Sequence, residues 1–275
     1  MFLNCGRFRL TLDRPLLMGV INVTPDSFSD GGLYLNTAAA VAHARQLIAE
    51  GADLLDIGGE STRPGAVPVT LDEERRRVLP VLEALADAGV PLSIDTQKPE
   101  LMREAAAAGA AMINDVNGFE AQGALAAVAA GHCAICIMHK QGSPQDMQQS
   151  PQYTDVVTEV RDYLQQRVAA AQQAGVSRER LLVDPGFGFG KTLNHNLELL
   201  RRLDEIAAPG VPVLAGLSRK SMIGKLTGRD TGDRLAGSVA AALFAVQRGA
   251  AIVRVHDVAA TRDALAVWGA VNKPH

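Results

Sequence analysis

The sequence predicts an α/β fold, a (β/α)8 TIM barrel with a short N-terminal hairpin capping the amino-end of the barrel. Three observations point there. Strand and helix signals alternate about eight times from residue 16 to the end, and strict β-α alternation calls for a parallel sheet. Each strand candidate is a short, nearly continuous apolar run, as in strands buried on both faces. Every such run also ends in ionisable or amide groups, at the end where barrel active sites are built. The 275 residues lie close to the roughly 250 usual for this fold. No linker or shift in composition divides them, so 1–275 reads as one domain.

In chain order, the predicted strands are 16–24, 54–58, 92–96, 112–116, 134–139, 181–184, 211–216 and 252–256, with residues 4–15 as the hairpin. The helices between them have readable ends. Thr70 and Glu73 are spaced as a capping box, in which the hydroxyl takes a free amide and the glutamate reaches back. Val78, Leu82 and Leu85 follow at helical spacing, and Pro80 among them predicts a kink. Pro99 suits a first helical position. Gly51, Gly89, Gly109, Gly131, Gly175 and Gly249 stand where helices should stop.

Composition excludes several classes. A net charge of −3 leaves no electrostatic footprint for nucleic acid. No apolar run approaches the roughly 20 residues of a membrane span. Arg7, Arg9 and Asp13 interrupt the N-terminus, unlike a signal peptide. Three cysteines cannot make a disulfide framework and suit a reducing cytosol; a cytoplasmic location is expected. Cys133 and Cys136 form a C-x-x-C. Positions i and i+3 of a strand face opposite ways, so these thiols should diverge rather than share a metal.

The groups that end the strands fall into sets. Arg63, Lys220, Arg254 and His256, with Arg219 nearby, are cationic and suit a phosphate-bearing substrate. Asp56, Asp95, Asn114 and Asp184 are acids and an amide; a buried carboxylate accepts two parallel N–H donors, as on an aminopyrimidinone edge. Burying so many polar groups costs several kcal/mol each without partners, so their convergence points to a ligand. Loops 24–36 and 59–70, rich in Gly, Pro, Ser and Asp, are too long for plain connections and typical of lids. The segment 186–192 (GFGFGKT) imitates a phosphate-binding loop, but the first glycine of that motif falls at Pro185. Its glycines instead let the backbone approach a flat substrate. Lys140, His43, His132 and His195 read as ordinary surface or helix-end residues.

Residues 18–32 (MGVINVTPDSFSDGG) and 56–65 (DIGGESTRPG) resemble the two signature loops of the dihydropteroate synthase family. Residues 93–96 (SIDT), 113–118 (INDVNG), 184–191 (DPGFGFGK), 216–221 (GLSRKS) and 254–257 (RVHD) follow in the family's order. The resemblance covers essentially the whole chain. It implies an enzyme that condenses 6-hydroxymethyl-7,8-dihydropterin diphosphate with 4-aminobenzoate, giving 7,8-dihydropteroate and pyrophosphate in folate biosynthesis. By resemblance, Asp95, Asn114 and Asp184 hold the pterin's polar edge, and Val116, Met138 and Phe189 meet its ring. Lys220 contacts the pterin and Arg254 packs over it. Asn22, Arg63, Arg254 and His256 bind the diphosphate, Asn22 also ligating Mg²⁺, the implied cofactor. Phe28, Thr62, Arg63, Pro64, Phe189 and Ser221 shape the aminobenzoate pocket, while Asp26 and Asp56 help stabilise charge at the reacting carbon. Asp26, Asp56, Arg63, Lys220, Arg254 and His256 form the catalytic set. The family also implies sulfonamide-target status and a homodimer through the later helices. Alternatives are another pterin-binding barrel, of the methyltetrahydrofolate methyltransferase type, and a non-catalytic paralogue. The first needs neither the diphosphate cations nor the long loops; the second should have lost some of them.

Overall fold

In a computed structural model describing residues 1–24, 33–61, 65–142, 147, 151–206 and 210–272, the predicted alternation closes on itself. An antiparallel hairpin, β1 (Phe2–Cys5) and β2 (Phe8–Thr11), precedes the barrel. The staves are β3 (Leu16–Asn22), β4 (Leu54–Gly58), β5 (Leu92–Asp95), β6 (Met112–Asp115), β7 (Ala134–Met138), β8 (Leu181–Asp184), β9 (Val213–Ala215) and β10 (Ala250–Val255). They pair in parallel in chain order, with β10 returning to β3. Between and after them run α1 (Leu33–Glu50), α2 (Leu71–Ala84), α3 (Pro99–Ala107), α4 (Ala124–Ala129), α5 (Val156–Gln173), α6 (Leu193–Arg201), α7 (Ser221–Thr227), α8 (Leu235–Gln247) and α9 (Val258–Asn272). The hairpin lies within 4–15 only in part, beginning at Phe2.

Several strands stop one or two residues short of the apolar runs. Single backbone bonds continue the pairing there: Val23 N donates to Gly58 O (2.8 Å), Thr96 N to Asn114 O (3.0 Å) and His139 N to Asp184 O (3.0 Å). The last strand differs the other way, starting at Ala250 because Ala250 pairs with Val213.

Strand parity sorts the core into two bodies. Leu17, Ile21, Leu55, Ile57, Ile94, Ile113, Ile135, Ile137, Val183 and Val253 face the helices. Leu16, Met18, Leu54, Met112, Ala134, Cys136, Leu182, Leu214 and Ile252 fill the barrel interior, where Leu3 and Cys5 of the hairpin close the amino-end. The cysteines follow the same rule: Cys133 belongs to the outer core and Cys136 to the inner one, both free.

Two details of the helix after β4 add to the expectation. Glu73 N donates to Thr70 Oγ1 (3.3 Å), but the Glu73 carboxylate turns to Arg76 (2.5 Å) and Arg77 (2.8 Å), so only half of the capping box forms. Helix α2 also runs unbroken through Pro80; its buried Val78, Val81 and Leu82 hold it against the barrel and offset the lost hydrogen bond.

Candidate active site

The interior rows explain where the polar groups converge. Moving two residues along a strand keeps a side chain on the same face, so each row climbs from apolar core to barrel mouth. Leu54 leads to Asp56, Ser93 to Asp95, Met112 to Asn114, Cys136 to Met138, Leu182 to Asp184 and Ile252 to Arg254. Leu214 leads to Gly216, and a Cβ there would lie 3.7 Å from Lys220 Nζ, 3.9 Å from Arg254 Cβ and 3.9 Å from Asp184 Oδ2. That glycine leaves the middle of the mouth open.

At the centre, Arg254 Nε donates to Asp56 Oδ2 at 2.6 Å, and its Nη2 reaches Asp95 Oδ2 at 3.4 Å. Asn114 Nδ2 donates to the same Asp56 oxygen at 3.1 Å. Asp56 is fully buried, and its Oδ1, like the Ser93 hydroxyl beside it, has no hydrogen-bond partner among the described residues. Asp184 Oδ1 accepts from Gly186 N at 2.7 Å, which leaves Oδ2 towards the mouth. Lys220 Nζ donates to Phe187 O (2.5 Å) and stands 4.7 Å from the centre of the Phe189 ring.

Burial and crowding move the protonation states. Burial, then the charge of Asp56, pushes Asp95 up to about 8 against the pull of Arg254. Burial likewise raises Asp184, opposed by Lys220, and lowers Lys220 to about 8, opposed by Asp184. For Arg254 burial works downward, but Asp56 and Asp95 outweigh it and lift its pKa. Such opposed shifts in one cleft mark a site built to meet a charged or strongly polar ligand.

Asp95→Asn should flatten the pH dependence of stability. The folded-state pKa near 8 lies above the ordinary 3.8, so the folded chain keeps a proton that the unfolded chain releases. The resulting stabilisation is full at low pH and is lost as pH rises through 8. The wild-type melting temperature should therefore fall relative to the variant between about pH 5 and 8. Parallel curves in a thermal-shift titration would show that Asp95 does not hold that proton.

Of the other expected site residues, Val116 lines a small cleft with Glu60, Glu74, Asp95, Thr96 and Gln97. Met138 pairs in register with Asp184. Asn22 ends β3 opposite Gly58. His256 is anchored through Nδ1 to Ser218 Oγ at 3.0 Å, and Ser221 opens α7 on the exposed side. Asp26, Phe28, Thr62, Arg63 and Pro64 lie outside the described residues.

Two strand-end charges are not part of the mouth. Asp115 has the wrong parity; its carboxylate accepts from Asn117 N and Phe119 N, both at 2.7 Å, and braces the turn after β6. Arg219 adopts φ +57° and makes a two-point pair with Asp257 (3.0 and 2.5 Å) beside the site. Lys140 is half-buried, and its charge acts on Asp115 rather than on the central acids. His195 caps α6, exchanging bonds with Thr192. Sequence reasoning missed the Lys98–Glu60–Glu74 cluster behind Asp95, in which Lys98 bonds both carboxylates. Its trace is a glutamate on the buried stripe of α2, Glu74 lying four residues before Val78.

A family profile described as pterin binding enzyme matches residues 18–256, which reaches all eight staves and takes in the central acids, amide and cations. The dihydropteroate synthase of Neisseria meningitidis serogroup C is 55% identical, covering 97% of this chain and 96% of the relative. The chain belongs to the dihydropteroate synthase family. Among solved family structures, that from Xanthomonas albilineans with 4-aminobenzoic acid superposes with a TM-score of 0.94 at 57% identity, covering 99% of both chains. The enzyme from Burkholderia cenocepacia complexed with 7,8-dihydropteroate gives 0.91 at 56% identity, covering 98% of this chain and 96% of that one. A dihydropteroate synthase fold in this sense includes the N-terminal hairpin, since the shared length reaches almost to both ends.

Proposed function

We infer that the chain is a dihydropteroate synthase, a transferase joining 6-hydroxymethyl-7,8-dihydropterin diphosphate to 4-aminobenzoate with release of pyrophosphate. The observation that carries this reading is the buried acid–amide–cation assembly of Asp56, Asp95, Asn114, Asp184, Lys220 and Arg254. It sets hydrogen-bond acceptors suited to the edge of a flat heterocycle directly beside fixed positive charge, with Asp56 and Asp95 on Arg254 and Asp184 Oδ2 near Lys220. Mixing purified protein, pterin diphosphate, Mg²⁺ and 4-aminobenzoate should yield dihydropteroate and pyrophosphate in equal amounts. Failure to form either would sink the reading.

In the proposed reaction the bond between the pterin methylene carbon and the diphosphate oxygen breaks, its electron pair leaving with pyrophosphate. The aryl amine then gives its lone pair to that carbon and releases a proton. Electron donation by the reduced pterin lets cleavage lead. Asp184 Oδ2 and Asn114 are placed to hold the amide and amino edge, with Val116, Met138 and Phe189 against the ring. Arg254 and His256 face the departing charge, where fixed donors stabilise a transition state without reorganising. Asp56 keeps Arg254 oriented. Mg²⁺ suits the diphosphate end: Asn22 offers a single amide oxygen, as expected of an ion that takes most of its ligands from phosphate and water. Bound there, it would neutralise charge on the leaving group.

A homodimer through the later helices fits the exposed surface. Helix α8 is apolar on nearly every side and packs between α7 and α9. Phe244 on α8 is 59% exposed and Val271 on α9 78%, with Leu226, Leu235 and Val267 also exposed. Such a patch is costly on an isolated molecule and suits a second copy of the same face. Phe244→Glu should convert a dimer to a monomer in analytical ultracentrifugation; a wild-type protein that sediments as a monomer removes the proposal. No helix among the described residues is long and apolar enough to cross a membrane. The three buried free thiols support a reducing, cytoplasmic location.

A further inference from the structure

Of the GFGFGK segment the proposed reaction uses only Phe189 and leaves the lysine without a role, although that lysine occupies an unusual place. Lys191 is only 2% exposed. Its Nζ lies 2.9 Å from Gly186 O, 2.9 Å from Phe189 O and 2.9 Å from His139 Nδ1. Each contact is directed back into the protein, so this amine is not available to a phosphate. Burying a lysine is costly unless its donors are satisfied, and here they are satisfied by one loop and the end of one strand.

We propose that Lys191 is a positioning residue of the pterin pocket, clamping loop 185–190 onto the end of β7 so that the loop's outer side can hold Lys220. The loop has an inner and an outer side. On the inner side, two of its carbonyls turn to Lys191 Nζ. Gly186 and Gly190, at φ +67° and +62°, press so closely on the strand-end backbone that a Cβ would fall 1.9 Å from His139 O and 2.2 Å from Gln141 O. On the outer side, the Phe187 carbonyl takes the Lys220 ammonium and the Phe189 ring lies under it. The loop edges are tied separately, by Asp184 to Gly186 N (2.7 Å), Asn196 to Gly188 N (2.6 Å) and Tyr153 to Gly190 O (2.9 Å). Lys191 supplies the remaining tie, through the middle. Without it, the Phe189 carbonyl loses its donor and the Gly186 carbonyl keeps only the Phe189 N–H (3.1 Å), so the loop must rotate the Phe189 carbonyl to another partner. That rotation moves Phe187 O and Phe189 together, and with them the lysine and ring that face the pterin. The diphosphate side, set by Arg254 and His256 on another stave, has no such link.

This proposal rests on the pterin-site reading above, and the test separates the two. Binding of 6-hydroxymethylpterin, and separately of pyrophosphate with Mg²⁺, is measured by calorimetry on wild type, Lys191→Met and His139→Phe. Lys191→Met keeps the length of the chain but not its donors; His139→Phe removes one acceptor and keeps a ring beside Tyr163, 4.9 Å away. Lys191→Met should weaken pterin binding about tenfold and His139→Phe about threefold, with pyrophosphate affinity within about twofold of wild type in both. A role in packing alone would lower the melting temperature without separating the two ligands. Unchanged pterin affinity in Lys191→Met, or in His139→Phe where the first variant does not fold, overturns the proposal, as does an equal loss of both ligands. Wild-type protein that binds no pterin would instead overturn the assignment of the site.

Discussion

Arg254→Ala is expected to lower kcat/KM about a thousandfold, roughly 4 kcal/mol of transition-state stabilisation, while leaving a folded protein. The two halves of that expectation have different causes. In the proposed reaction, activity falls because Arg254 would couple the acid cluster to the side where negative charge departs. The fold survives although the change strips a cation from Asp56, which is fully buried, and from Asp95. Removing one partner of a buried pair commonly costs about 3–5 kcal/mol, but two features limit the cost here. Arg254 is 21% exposed, so part of its pairing is already screened. The Asp95 carboxyl also neutralises by taking a proton, which burial and the neighbouring charge of Asp56 favour; it is already raised to about 8. Adding Asp56→Asn to Arg254→Ala should recover melting temperature and no activity. Recovery of both, or near-normal activity in the single variant, would take Arg254 out of the mechanism. Lysine at this position should not rescue, since a single ammonium cannot span Asp56 and Asp95 as the planar fork does.

Most of this cluster is legible in the sequence, and strand parity explains both what is legible and what is not. Each strand-end acid or cation that faces inward stands two residues after a residue of the interior core, as Asp56 follows Leu54 and Arg254 follows Ile252. The apolar runs announced the staves, but their near-continuous hydrophobicity hid which face was which. Asn114 and Asp115 are neighbours at one strand end, yet one faces Asp56 and the other faces a turn. Arg219, expected only near the cationic set, is turned from the mouth by a left-handed backbone and its partner Asp257. Beyond Glu74 on the buried stripe of α2, the groups behind Asp95 have no comparable signal. Glu74 and Lys98 meet Glu60 only because α2, α3 and the second loop converge behind Asp95, a contact of tertiary origin that no local spacing encodes. The GFGFGK run was legible as a close-approach loop, but not the inward turn of its lysine, which depends on His139 from another stave.

Asp184→Asn should weaken pterin binding about a hundredfold, near 3 kcal/mol, with little change in fold. The carboxylate divides its work between two oxygens. Oδ1 accepts from Gly186 N at 2.7 Å and helps hold the loop; Oδ2 faces the mouth beside Gly216. Asparagine can keep the first contact with its carbonyl oxygen, which then obliges its amide nitrogen to take the second position. A donor there meets the donors of the pterin edge, so the substitution replaces an ionic acceptor with a repulsive contact rather than with nothing. The variant has a second consequence. The charge of Asp184 supports the protonated form of Lys220, whose pKa burial has already lowered to about 8. Without that charge the Lys220 pKa falls further, so the fraction protonated at neutral pH drops. The alkaline limb of pterin binding should therefore move to lower pH, whereas loss of a contact alone would leave its midpoint in place. Titrating pterin affinity against pH in both proteins measures the two effects together. A hundredfold loss without movement of the alkaline limb would keep Asp184 as an edge acceptor and deny its coupling to Lys220; movement without loss would place the pterin elsewhere.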